Sequence, residues 1–348
     1  MQAVVLHAVG DIRFEEIPVP SPGSGDVRVR VGFCGVCGSD IPRIFSKGTY
    51  SFPTVCGHEF AGTVEECGTG VTRVEVGDRV AVFPLLWCGR CSACEQGKYV
   101  HCSDYDYLGS RRDGAFAEFV VAPERNLLPV PDNVTLEEAA MVEPAAVSLH
   151  ALRRAGGCSA GDSVAVFGMG PIGLMVAQWA RVMGAGRILL FDVMQEKIEL
   201  ANHLGFDQAY DSRAQDPAEV IEHCTGGRGV DVSVEAVGLP QTLVKALSAA
   251  GRNGRVVLLG NPSSDVTIPA ALLSRLMRRE VSVLGTWNSD YSALGNRDDW
   301  GEVLSAVSAR RIDLKSLISH RVPLTGAIEA LNMMRDRSEF YTKVLIRI

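Results

Sequence analysis

The sequence predicts an α/β protein in which a doubly wound parallel sheet is joined to a β-rich, partly open barrel. Two observations carry this. From about Ser163 onward, apolar runs at 163–167, 187–192, 208–210, 230–235, 254–260 and 281–285 alternate with mostly helical stretches. That is the pattern of six parallel strands with right-handed crossovers. Residues 1 to about 150 differ in texture: they are rich in Gly and Pro and in short alternating runs such as Val27-Arg28-Val29-Arg30-Val31. Valines from Val64 to Val82 recur there in short runs punctuated by Gly62, Gly68, Gly70 and Gly77, as expected of half-buried antiparallel strands.

A chain of 348 residues suits two domains with ample core. The net charge of −7 excludes a general attraction to nucleic acid. The start, MQAVVLHAVGD, lacks the basic region and long apolar stretch of a secretory signal. No run of about 18 uncharged apolar residues predicts a membrane span, so a cytoplasmic protein is expected. The 10 cysteines then point to metal binding rather than disulfides, because four of them are clustered.

The second domain opens on its most informative stretch. The strand 163–167 runs into Gly168-Met169-Gly170-Pro171-Ile172-Gly173, a helix follows to about Gly184, and a second strand closes on Asp192. This is the strand–turn–helix–strand setting that a G-x-G-x-x-G dinucleotide motif requires. Gly168 permits the tight turn, Gly170 lets a pyrophosphate approach the backbone, and Gly173 lets helix and strand pack closely. The helix start, with Pro171 and Ile172, turns unpaired N–H groups toward the phosphates. Asp192, 19 residues beyond Gly173, is placed to hold the adenosine ribose hydroxyls and would repel a 2′-phosphate. NAD is therefore expected over NADP. Val237-Gly238 and Leu259-Gly260 follow the fourth and fifth strands at their carboxyl ends, where the nicotinamide half belongs, although plain turns would look the same.

In the first domain, Cys88, Cys91, Cys94 and Cys102 have the spacing of a closed four-thiolate zinc site, which leaves no open position and is structural. Cys37 and His58, 21 residues apart, are by themselves weak evidence of a second metal.

Taken in order, Gly57-His58-Glu59, Gly77-Asp78-Arg79-Val80, the four-cysteine lobe, Asp113-Gly114-Ala115-Phe116-Ala117-Glu118 and the glycine motif resemble the zinc-containing medium-chain alcohol and polyol dehydrogenases over essentially the whole chain. Longer phrases, Gly38-Ser39-Asp40-Ile41-Pro42-Arg43-Ile44-Phe45 and Tyr105 to Gly114, resemble the galactitol-phosphate branch of that family.

The resemblance implies a GroES-like catalytic domain made of 1–150 and 286–348, and a Rossmann NAD domain of 151–285. It implies a catalytic zinc on Cys37, His58 and Glu143, with Glu59 as a neighbouring or alternate ligand. Ser39 matches the hydroxyl that takes the substrate proton. Many relatives carry a histidine three residues later, where this chain has Pro42, so the onward proton route differs. The implied reaction is NAD-dependent oxidation of galactitol 1-phosphate to tagatose 6-phosphate. Arg43, Lys47, Arg111 and Arg112 are then candidates for the phosphate, and Trp287, Asn288 and Tyr291 for the substrate cleft. A free polyol such as sorbitol or xylitol, or L-threonine, is the alternative substrate. A silent zinc- and nucleotide-binding regulatory protein is the alternative class. The last sheet strand, near Val281 to Leu284, is expected to pair with a second copy in a homodimer, a tetramer being the larger alternative.

Overall fold

The computed structural model describes residues 1–293 and 298–348. They divide into two compact units, one of Met1–Glu143, Asp290–Arg310 and Leu314–Ile348, the other of Pro144–Ser289 and Arg311–Asp313. Among the described residues, no helix is long and apolar enough to cross a membrane.

The second unit is built on a six-stranded parallel sheet. Its order is Ala209–Asp211, Arg187–Asp192, Ser163–Phe167, Val230–Glu235, Ala250–Leu258 and Ser282–Gly285. The first strand in sequence lies at the centre, so the order reverses between it and Val230–Glu235, and ligands of such sheets bind at that switch. Burial explains the uninterrupted apolar runs: Val164, Ala165, Val166 and Phe167 are all buried. Phe167, Phe191 and Tyr210 stack in sequence across neighbouring strands, with centroids 5.1 and 5.7 Å apart. The fifth strand begins at Ala250, earlier than the expected 254. Its first residues include Gly251, Gly254 and Asn253, whose φ of 55° and accompanying register shift read in sequence as a turn. Helix Pro171–Met183 starts on a proline and ends on Gly184 at φ 100°.

In the first unit, an open sheet runs Leu127–Pro129, Arg79–Val82, Glu59–Cys67, Asp26–Gly35, Lys343–Arg347 and Ile318–Pro323, with Phe119–Pro123 also paired to Asp26–Gly35. The alternation Val27, Val29, Val31 sends three valines into one core with Val64, Val80, Val82 and Phe116. The closing strand joins this sheet through Leu345, opposite Gly35. The last helix, Ala327–Asp336, begins after a single tight turn at Leu324–Gly326. Helix Asp299–Ser308 is capped by Asp298, which accepts from Gly301 N at 2.7 Å.

Candidate functional site

Pairing of two strands in the first unit brings distant residues together. Gly35, at the end of strand Asp26–Gly35, lies opposite Glu59, at the start of strand Glu59–Cys67. Cys37 follows the one and His58 precedes the other, so 21 residues of sequence close into one cluster. The ligand atoms of Cys37, His58 and Glu59 all lie within 4.8 Å of one another. The sequence reading placed Glu143 in this trio and Glu59 beside it. The strand register puts Glu59, the expected alternate ligand, in this trio. Glu143, in the first turn of helix Val142–Arg154, accepts a hydrogen bond from Tyr107 Oη at 3.3 Å. His58, Glu59 and Lys343 are its charged neighbours.

Two residues that sequence reasoning missed organise the cluster. Asp40 is fully buried. One of its carboxylate oxygens accepts from Cys37 N at 3.0 Å; the other lies 2.5 Å from Arg43 Nη1 and 3.5 Å from His58 Nδ1. It therefore fixes the Cys37 backbone and faces one nitrogen of His58, leaving the other ring nitrogen for a metal. Burial opposes charge on His58, but Asp40 and Cys37 outweigh it and raise its pKa well above the ordinary value. Lys343 is the second. It is buried at the start of the apolar strand Lys343–Arg347, donating to Glu59 Oε2 and to the Val36 carbonyl at 3.2 Å. A single lysine in an otherwise apolar stretch gave no signal of this.

Thiol, imidazole and carboxylate are a zinc donor set, and three protein ligands leave the open position a catalytic ion needs. Burial, and then the charge of Glu59, push the Glu143 carboxyl up to about 7 from its ordinary 4.5. A raised carboxyl stabilises the fold below its unfolded value and loses that contribution as pH rises through the folded value. In metal-free protein, Glu143→Gln should therefore gain on wild type by on the order of 3 kcal/mol from about pH 4.5 to above 7. Parallel urea curves across that pH range would reject this if the gap stayed constant.

The four-cysteine lobe is closed as expected. The sulfur atoms of Cys88, Cys91, Cys94 and Cys102 lie within 4.8 Å of one another. Cys91 and Cys94 are 3.5 Å apart, Cys88 and Cys94 4.0 Å. A tetrahedron with about 2.3 Å Zn–S bonds has edges near 3.8 Å, far longer than the ~2.05 Å of a disulfide. Thus the lobe fits an ion, not bridges. Backbone N–H groups of Cys88 and Asp104 donate to Cys102 Sγ, at 3.3 and 3.4 Å.

In the second unit, the glycine loop has the shape its motif demands. Gly168 adopts φ 102°, and a Cβ there would strike Val237. A Cβ on Gly173 would run into the Gly168 carbonyl, whereas a Cβ on Gly170 would meet nothing within 4 Å. Gly170 is thus the open position at the start of the helix, flanked by Pro171 and Ile172. Asp192 accepts from Met169 N at 2.7 Å and from Val193 N at 2.8 Å, and lies 3.3 Å from Lys197 Nζ. It therefore ties the loop to the second strand, and Lys197 is a further charge beside it that the sequence reading did not single out. At the carboxyl ends of the next strands, the carboxylate of Glu235 accepts from Val237 N, Gly238 N and Thr242 Oγ1. Gly260 packs against Gly238 so closely that no Cβ fits.

The basic candidates divide sharply. Arg43 is paired with Asp40, and Arg112 with Asp106 at 2.6 Å. Among the described residues, Arg111 meets no carboxylate; its guanidinium lies between the rings of Tyr50 and Tyr105, 4.1 and 4.4 Å from their centroids. Lys47 is exposed in the last turn of Arg43–Lys47. Trp287 is exposed. Tyr291 is buried, stacked on Phe83 at 4.4 Å with its hydroxyl on the Arg125 carbonyl, which makes it a packing residue.

Comparison with known proteins agrees with this geometry. The model of the alcohol dehydrogenase GroES-like domain matches residues 23–132, and that of the zinc-binding dehydrogenases matches 171–309. Galactitol 1-phosphate 5-dehydrogenase of Escherichia coli (strain K12) is 35% identical over 99% of both chains. The crystal structure of galactitol-1-phosphate dehydrogenase from Escherichia coli superposes over 100% of both chains with a TM-score of 0.93. Sorbitol dehydrogenase of Bacillus subtilis (strain 168) is 37% identical over 76% of each chain. A zinc-binding dehydrogenase of Sinorhizobium meliloti 1021, bound to NADP, matches with a TM-score of 0.90 at 30% identity, over 100% of this chain and 99% of that one.

Proposed function

We propose that the chain, which belongs to the zinc-binding alcohol and polyol dehydrogenases with a GroES-like domain, oxidises a secondary alcohol of a sugar-alcohol phosphate, galactitol 1-phosphate, to the ketose phosphate. The family membership rests on two domain models and on full-length identity with a polyol-phosphate dehydrogenase. The observation that favours a phosphorylated substrate is Arg111, a half-buried cation without an acidic partner among the described residues, held against the rings of two tyrosines. A guanidinium in that state is prepared for two parallel bonds to phosphate oxygens. Arg43 and Arg112 already have carboxylate partners.

In this reading Cys37, His58 and Glu59 hold the catalytic zinc, with Glu143 at its margin, and the four-cysteine lobe holds the structural one. When bound, zinc supplies Lewis acidity that lowers the pKa of a coordinated alcohol, and NAD supplies the hydride acceptor. The chain's own work is positional. Asp40 orients His58 and Cys37. Ser39 is exposed and its hydroxyl has no hydrogen-bond partner among the described residues, so it is free to take the alcohol proton. Pro42 passes nothing onward, so the proton leaves Ser39 directly to water. Asp192, with its carboxylate fixed, binds the ribose hydroxyls and disfavours a 2′-phosphate, which is the reason to read NAD.

NADH formation at 340 nm tests the reading, with galactitol 1-phosphate, galactitol, sorbitol and L-threonine at equal concentration, each with NAD and with NADP. Preference for the phosphate ester with NAD is the expected result. Preference for a free polyol keeps the zinc chemistry and retires the phosphate role. Arg111→Ala should lower kcat/KM for the phosphate ester about 10- to 100-fold and leave free polyols unchanged, since a hydrogen bond to a charged group contributes about 1.5–3 kcal/mol. If Arg43→Ala, Lys47→Ala, Arg111→Ala and Arg112→Ala all keep wild-type efficiency, the phosphate assignment is wrong.

The same reading includes a homodimer. The edge strand Ser282–Gly285 and the adjoining helix leave Val283, Leu273 and Met277 exposed at 47%, 53% and 73%. Light scattering is expected to give twice the 37.4 kDa chain mass. A monomer mass would remove the dimer from the reading.

A further inference from the structure

The most unusual group outside the expected machinery is Lys343. A lysine is almost never fully buried unless paired, and this one is 4% exposed, at the start of the strand that closes the first unit's sheet. Its ammonium donates to Glu59 Oε2 and to the Val36 carbonyl at 3.2 Å. Those partners adjoin Cys37 on one side and His58 on the other, so one side chain spans both ligand-bearing segments. The sheet is built to admit it. A Cβ on Gly35 would strike Glu59 Oε2 and come within 3.0 Å of Lys343 Cε, so the glycine leaves the room the pair occupies.

We propose that Lys343 is a positioning residue that keeps Glu59 a one-oxygen ligand and thereby keeps a coordination position open for the alcohol. The inference rests on the reading that Cys37, His58 and Glu59 hold a metal. A carboxylate can bind an ion through one oxygen or two. With Oε2 committed to the ammonium, Oε1 is the oxygen left for the ion. Without the ammonium, both oxygens are free, and a two-oxygen Glu59 takes the place the substrate needs. The ammonium also balances the charge of two anionic ligands gathered in a buried site. A packing role alone makes the opposite prediction: removing a supporting group outside the ligand set commonly loosens a metal site 10- to 100-fold.

The test uses full-length enzyme with cobalt(II) exchanged into the catalytic site, comparing wild type, Lys343→Met and Lys343→Arg. Visible spectra and the rate of cobalt loss to a chelator are the readouts. Wild type and Lys343→Arg are expected to show the intense bands of four-coordinate cobalt. Lys343→Met should show the weaker bands of five-coordinate cobalt and release the ion about tenfold more slowly, within the range that neighbours of metal ligands command. Unchanged bands, or faster release, in Lys343→Met would overturn the proposal. If that variant fails to fold, Gly35→Ala serves, since its Cβ displaces the Glu59 carboxylate without removing a charge; the same change of bands is expected, and unchanged bands again overturn it. Wild-type enzyme that takes up cobalt only in the four-cysteine lobe would refute the metal reading itself, and with it the proposal, which separates the two failures.

Discussion

Cys37→Ala is expected to abolish dehydrogenase activity while leaving the fold intact: kcat/KM should fall by about a thousandfold or more, and metal content by one ion per chain. The site offers three donors within 4.8 Å, and a site with two donors no longer holds an ion against water. Lewis-acid stabilisation of a developing alkoxide contributes several kcal/mol, and each 1.36 kcal/mol is tenfold in rate. The fold should survive because Cys37 is partly exposed and lies beyond the end of strand Asp26–Gly35, outside the buried core. Its loss also releases Ser39 N, which donates to the sulfur at 3.5 Å, a contact too weak to matter for stability. Metal analysis and steady-state kinetics on the same preparation decide it. Full activity with one ion per chain would mean that chemistry occurs without this site, and would favour another set of ligands over Cys37, His58 and Glu59.

Much of this site was legible in sequence, and the reasons differ by residue. The glycine loop was fully legible, because every glycine there answers a local steric demand that the motif encodes: a positive φ at Gly168, a closed contact at Gly173, open space at Gly170. The four-cysteine lobe was legible because its ligands lie within 15 residues and need no tertiary knowledge. Glu59 and Glu143 both read in sequence as carboxylates for Cys37 and His58, and the fold groups Glu59 with them. Which carboxylate reaches them depends on the Gly35–Glu59 register, and register is a property of two strands rather than of either one. Lys343 was not found at all, and Asp40 was not read as part of the site. An acid beside Arg43 reads in sequence as its ion-pair partner, which it is; only the fold shows that the same carboxylate also holds Cys37 N and faces His58. Lys343 meets its partner across 284 residues, a separation at which no spacing rule operates. The early start of the fifth sheet strand was hidden for a local reason, since Gly251, Asn253 and Gly254 mimic a turn while forming a bulge.

Cys94→Ala is expected to melt the cysteine lobe without emptying the catalytic cluster. The lobe from Cys88 to Asp104 contains one four-residue helix, Ser92–Glu95, and one three-residue turn, Tyr99–His101. Neither is long enough to persist alone in water, because a helical nucleus is costly. What remains is a stack of Trp87 on Tyr99, centroids 4.2 Å apart, the Arg125 guanidinium 4.3 Å from the Trp87 ring, and an exposed ion pair of Arg90 with Asp104 at 2.7 Å. The aromatic contacts anchor the lobe's base, and an exposed ion pair adds little support to its tip. Metal binding by four thiolates supplies about 10–16 kcal/mol of apparent folding energy in small zinc modules, far more than one stacked pair contributes. Loss of one thiolate should therefore raise local opening by a hundredfold or more, read as trypsin cleavage after Arg90 or Lys98 under conditions where wild type resists. Zinc content should fall by one per chain, while the ion at Cys37, His58 and Glu59 stays. Treating wild-type protein with a chelator strong enough to strip the lobe should reproduce the same cleavage. Cys37→Ala should leave the lobe resistant, because its metal is a different one. A Cys94→Ala protein as resistant as wild type would mean that packing on Trp87, not the ion, holds the lobe closed.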